Sequence, residues 1–114
     1  MVTVLIVDDS RTSRRFLRNM LTEAGYEVVA EAVDGEDGMK KYEEFKPDIV
    51  TMDITMPKLD GIDAVSEAAK IVMVTAAGQK TNIVEALKRG AADFIQKPFE
   101  SSAIVSVLEK VMGE

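Results

Sequence analysis

Short runs of β-branched and aliphatic residues alternate along this chain with longer stretches in which apolar positions recur every three or four residues. Thr3 to Val7, Glu27 to Ala32, Asp48 to Met52, Ile71 to Thr75 and Asp93 to Gln96 read as strands. Most are apolar almost throughout, the pattern of a strand covered on both faces. Ser10 to Ala24, Gly35 to Phe45, Ile62 to Ala69, Asn82 to Arg89 and Ser101 to Met112 read as helices. Ser10, Asp34 and Ser101 are placed to accept from free N–H groups at helix starts, and Gly25 and Gly90 stand where a left-handed cap is wanted. In the first helix Phe16, Leu17, Met20 and Leu21 form an apolar stripe. Arg11, Arg14, Arg15 and Arg18 lie opposite it, as on a solvated basic face.

Strict strand–helix alternation predicts an α/β architecture, with a parallel sheet, right-handed crossovers and helices on both faces. In such a sheet every strand-to-helix loop lies at the same edge, so residues that end different strands converge. Asp8 and Asp9 follow the first strand, Asp53 ends the third, Thr75 ends the fourth and Lys97 follows the fifth. The second strand contributes no comparable group, as expected of a strand at the outer side of the sheet.

Composition narrows the class. A chain of 114 residues with 46% hydrophobic and 30% charged residues matches one soluble globular domain spanning 1–114. A net charge of −6 disfavours attraction to nucleic acid or anionic lipid. Its apolar stretches fall far short of the roughly 20 residues of a membrane span, and the N-terminus lacks a signal-peptide layout, which together predict a cytoplasmic protein. Without Cys or His, thiolate chemistry and the commonest general base are excluded, leaving carboxylates, hydroxyls and Lys.

Three carboxylates crowded at a sheet edge either protonate or attract a cation, and all-oxygen ligation suits Mg²⁺. A carboxylate beside Mg²⁺ and Lys can attack a phosphoryl group, and Thr75 can donate its hydroxyl to the product. Taken singly, each residue has an ordinary reading. Asp8 or Asp9 can cap a helix, Asp53 can be solvated at a strand end, Thr75 can be a plain strand residue and Lys97 a surface lysine. Only their joint placement at four strand ends points to phosphoryl chemistry.

The runs Val4-Leu5-Ile6-Val7-Asp8-Asp9-Ser10, Met52-Asp53-Ile54-Thr55-Met56-Pro57 with Asp60-Gly61, Val74-Thr75-Ala76 and Lys97-Pro98-Phe99 resemble the receiver family of two-component response regulators over essentially the whole chain. The resemblance implies a (βα)5 doubly wound, flavodoxin-like sheet in the CheY-like strand order 2-1-3-4-5. It also implies that Asp53 accepts a phosphoryl group from a CheA-like sensor histidine kinase. Asp9 and Asp53 would ligate Mg²⁺ with the Thr55 carbonyl, and Asp8 would assist through water. Thr75 and Phe94 would form the switch that remodels the face made by the fourth helix, fifth strand and fifth helix. Such a protein catalyses its own phosphorylation and dephosphorylation without being a turnover enzyme. Thr55 and Ala77 are poor at positioning water, which predicts slow intrinsic dephosphorylation unless a separate phosphatase acts.

The crossover from Asp53 to Ile71 is short for the family. After a loop over Ile54 to Gly61, a helix over Ile62 to Ala69 must return along the sheet with almost no loop, so this crossover is truncated or lacks a segment near Glu67 to Lys70. The chain stops soon after the fifth helix, so signalling is expected through protein binding. Chemotaxis and a flagellar motor-switch partner fit best; a phosphorelay intermediate or phosphate sink looks nearly the same. An aspartate-nucleophile phosphatase wants a second Asp where Thr55 stands, and a flavodoxin-type cofactor binder wants a Gly-rich phosphate loop that does not follow the first strand.

Overall fold

The computed structural model describes residues 1–53, 70–75, 84, 87–88, 90–97 and 100–113. Its elements are β1 (Thr3–Val7), α1 (Arg11–Glu23), β2 (Glu27–Ala32), α2 (Gly35–Phe45), β3 (Ile49–Asp53), β4 (Lys70–Thr75), β5 (Asp93–Gln96) and α3 (Ser101–Gly113). The five strands are parallel in the order β2-β1-β3-β4-β5. Thr55, Ala77, Pro98, Phe99, the crossover over 54–69 and the expected helix over 62–69 lie outside the described residues. Of the expected helix over 82–89, Val84, Leu87 and Lys88 are described and are helical.

Period-two alternation splits the core between the two faces of the sheet. Leu5, Val7, Val50, Met52, Ile71 and Met73 point to one face, where Met39 and Tyr42 of α2 pack on them. Val4, Ile6, Ile49, Val72 and Val74 point to the other and meet Leu17 and Leu21 of α1 and Ile104 and Leu108 of α3. β1, β3 and β4 are apolar almost throughout because both faces are covered, and the edge strands β2 and β5 are the more exposed. Gly38 lets α2 approach closely: a Cβ there would lie 3.1 Å from Val7, the residue that precedes Asp8.

The pairing of β1 with β2 is irregular. Val4 faces Val28 but Leu5 faces Ala30, so Val29 is an extra residue in β2. Each bulge of this kind reverses which face the following residues occupy. Ala30 and Ala32 therefore join the α2 face, while Glu31 opposite Ile6 is delivered to the α1 face.

Several boundaries differ from expectation. β3 runs one residue later, so Asp53 is its last paired residue, opposite Val74. Ser10 caps α1 by accepting from the Ser13 N–H, and Asp34 caps α2 by accepting from the Asp37 N–H. Ser101 is instead the first residue of α3, and the Glu100 carbonyl receives the Ile104 N–H. Gly25 and Gly90 have φ of 94° and 109°, as the left-handed caps require, but among the described residues Lys46 is left-handed too, at φ 45°, which its side chain gave no reason to expect. Phe16 is 55% exposed, because Leu17 and Leu21 already fill the line facing the sheet.

Thr51 lies on the α1 face of β3 between Ile6 and Val72, buried, and its hydroxyl has no hydrogen-bond partner. A buried unsatisfied hydroxyl is destabilising, and Val has the same shape without it. Thr51→Val is expected to stabilise the protein by about 1 kcal/mol, raising the midpoint of thermal unfolding. An unchanged or lower midpoint would show that the hydroxyl is satisfied in solution.

Candidate functional site

The parallel sheet brings the carboxyl ends of β1, β3, β4 and β5 to one edge, and Asp8, Asp9, Asp53, Thr75 and Lys97 all lie there. Asp8, Asp9 and Asp53 each offer a carboxylate oxygen within 4.8 Å of the others. Asp8 and Asp53 are buried and Asp9 is exposed, so the cluster opens to solvent through Asp9.

Asp8 is held on every side. Its N–H donates to the Ala32 carbonyl at 3.0 Å, its carbonyl accepts from Arg14 Nη1 at 2.8 Å, and its Oδ1 accepts from the Ser10 N–H at 2.8 Å. The Lys97 ammonium stands 3.9 Å from Asp8 Oδ2 and 3.8 Å from Asp53 Oδ2, bridging the ends of β1 and β3. It is placed there by its own N–H, which donates to the Thr75 carbonyl at 2.6 Å. Both ion-pair distances exceed hydrogen-bond length, so the ammonium is shared between the carboxylates without being locked to either.

Burial pushes the Asp8 carboxyl above its ordinary value of 3.8, and the nearby Asp53 and Asp9 carboxylates push the same way, against the opposing pull of the Ser10 N–H and of Lys97. Among the described residues three carboxylates face one ammonium, an excess that matches the charge of one divalent cation. The oxygen-only donor set, its spacing and the raised Asp8 carboxyl together fit a hard cation such as Mg²⁺.

The same shift sets a pH dependence. A carboxyl whose folded value is raised contributes stability that is full below the unfolded value and is lost as pH rises through the folded value. In cation-free protein, the Asp8 contribution to stability is therefore expected to fall as pH rises above about 4, and Asp8→Asn should remove that fall. Thermal unfolding of both proteins across pH in chelator measures it; parallel curves would contradict the assignment to Asp8.

Thr75 is fully buried, and its hydroxyl donates to the Ile95 carbonyl at 3.4 Å rather than to a carboxylate. Phe94 is 38% exposed on β5, so it is not a core aromatic in this state. Alternation puts Ile95 on the α1 face, and Phe94, opposite Met73, on the face it shares with Thr75. The expected solvated basic face of α1 is also corrected in part. Arg14 Nε and Arg18 Nη1 both bind the Glu31 carboxylate, at 3.1 and 2.5 Å, and the Arg14 side chain is only 14% exposed. The one sequence signal for this contact was a lone Glu within the otherwise apolar Val28 to Ala32.

The parallel five-stranded sheet thus carries a carboxylate cluster and a lysine at its carboxyl edge. The profile of the response regulator receiver domain matches residues 4–109, and the chain belongs to that family, the receivers of two-component systems. It is 52% identical to the chemotaxis protein CheY of Thermotoga maritima over 95% of each chain, and 46% identical to the CheY of Listeria monocytogenes over 96% of this chain and 98% of that one. The crystal structure of a CheX–CheY–BeF3–Mg²⁺ complex from Borrelia burgdorferi contains a chain 35% identical, with a TM-score of 0.86 over 96% of this chain and 88% of that one. These relatives point to chemotaxis signalling rather than to a turnover enzyme. Among the described residues no helix is long and apolar enough to cross a membrane.

Proposed function

We propose that this protein is a chemotaxis response regulator of the cytoplasm that accepts a phosphoryl group on Asp53 from a CheA-like histidine kinase and signals by phosphorylation-dependent protein binding. The observation that carries this reading is the cluster of Asp8, Asp9 and Asp53 with Lys97 between two of its members. An Asp53 carboxylate oxygen attacks the phosphorus of a phosphohistidine. The new O–P bond forms as the P–N bond breaks, and the departing imidazole nitrogen takes a proton from water.

Asp9 and Asp53 would hold Mg²⁺ directly, with Asp8 through water. Thr55, whose carbonyl completes the set in the family resemblance, lies outside the described residues. Bound there, the ion supplies positive charge to the phosphoryl oxygens and offsets the repulsion among the carboxylates. Lys97 adds a second positive charge from the end of β5, at the same edge of the sheet. The Thr75 hydroxyl turns to a phosphoryl oxygen, giving up a long bond to Ile95, and Phe94 moves in from its half-exposed position on the same face. Refilling that space links the phosphorylation state to the surface near β5 and α3, where a flagellar motor-switch protein or a CheX-like protein would bind.

The test is incubation with acetyl phosphate and Mg²⁺, followed by intact-mass measurement and by pull-down with motor-switch protein with and without beryllofluoride. One phosphoryl increment that requires Mg²⁺, with beryllofluoride-dependent capture, is the expected result. An increment without capture points instead to a phosphorelay intermediate or phosphate sink. No increment, or steady turnover of a phosphate monoester, would overturn the reading.

A further inference from the structure

The carbonyl of Asp8 falls just beyond the end of β1, where among the described residues no neighbouring strand supplies it with a donor. Arg14, one turn into α1, reaches back to it with Nη1 at 2.8 Å, and its Nε is held at 3.1 Å by Glu31. The other Glu31 oxygen binds Arg18, so the carboxylate that orients Arg14 is itself gripped from the next turn of the helix. Glu31 can do this only because the extra residue Val29 turns it toward α1. The planar guanidinium thus joins three elements at the peptide that links Asp8 to Asp9, the two carboxylates that β1 delivers to the cluster.

We propose that Arg14 is a positioning residue of the acidic site: by clamping the Asp8 carbonyl from Glu31, it sets the orientation of the Asp8–Asp9 peptide and so the readiness of both carboxylates to receive a divalent cation. The inference rests on reading that cluster as a cation site. Groups that orient a metal's ligands commonly change affinity by about 10-fold to 100-fold when removed.

A role as mere charge predicts the opposite sign. Deleting a cation near three carboxylates should tighten Mg²⁺ binding, whereas loosening the peptide should weaken it. Arg15 provides the control, since it is exposed on the same helix with no ion pair among the described residues. Mg²⁺ affinity is measured by calorimetric titration, well below the unfolding midpoint, for wild type, Arg14→Ala, Arg14→Lys and Arg15→Ala.

Arg14→Ala is expected to weaken binding about tenfold, with Arg15→Ala unchanged or slightly tighter. Arg14→Lys keeps the charge but cannot bridge Glu31 and the Asp8 carbonyl with one ammonium, so it should weaken binding as well. That variant decides the matter if Arg14→Ala does not fold. Wild-type affinity in both Arg14 variants, or tighter binding in Arg14→Ala, would overturn the proposal while leaving the cation site intact. Wild type that binds no Mg²⁺ would overturn both.

Discussion

Asp53→Asn should yield a folded protein that gains no phosphoryl mass from acetyl phosphate and Mg²⁺, whatever the incubation time. Asp53 is the last residue of β3, only 4% exposed, and its backbone pairs with Val74, so an isosteric amide disturbs neither the sheet nor the packing. The amide, however, has no anionic oxygen with which to attack phosphorus. Replacement also takes one negative charge out of a cluster whose members repel, and Asp53 is one of the groups that push the Asp8 carboxyl upward. Stability should therefore be retained or rise while acceptance of phosphate disappears. That pairing separates loss of the nucleophile from loss of the fold. A full increment in this variant would move the acceptor to Asp8 or Asp9, and fragment masses would say which.

The second large effect is expected at Lys97, where rate and cation affinity should move in opposite directions. Lys97→Met keeps the length of the side chain and removes the ammonium that stands 3.8 Å from Asp53 Oδ2 and 3.9 Å from Asp8 Oδ2. Loss of one fixed positive charge aimed at the transferring group should slow phosphorylation by roughly 10²–10³-fold. The carboxylates lose their only described countercharge, so the Asp8 carboxyl rises further when no cation is present, and Mg²⁺ should bind more tightly to the more negative cluster. Single-turnover phosphorylation at saturating Mg²⁺, beside a Mg²⁺ titration, measures the two effects. A variant that loses rate and affinity together would make Lys97 a structural residue of the edge rather than a participant in transfer.

The acidic edge was legible from the chain because a parallel sheet converts sequence order into spatial order. Asp8, Asp9, Asp53, Thr75 and Lys97 each end or follow a strand that its own apolar run announces, and the topology does the rest. The family resemblance supplied the strand order, which local pattern does not contain. Phe16 was misplaced because helical spacing locates a face only to within about one residue's rotation, and the line through Leu17 and Leu21 proved to be the buried one. Lys46 escaped notice since a left-handed residue without Gly or Asn leaves no mark in composition.

The chain by itself thus determined what is periodic or local: five strands, the three described helices that cover them, two side-chain caps and the strand ends where carboxylates and lysine gather. Tertiary structure alone decided what depends on register and on pairs distant in sequence. The extra residue in β2 reverses the facing of everything after it, and so brings Glu31 to Arg14 and Arg14 to the Asp8 carbonyl. Periodicity can tell which residues share a face, but a single-residue shift between two strands exchanges the faces. That shift is set by how whole strands fit together, not by the residues within either one.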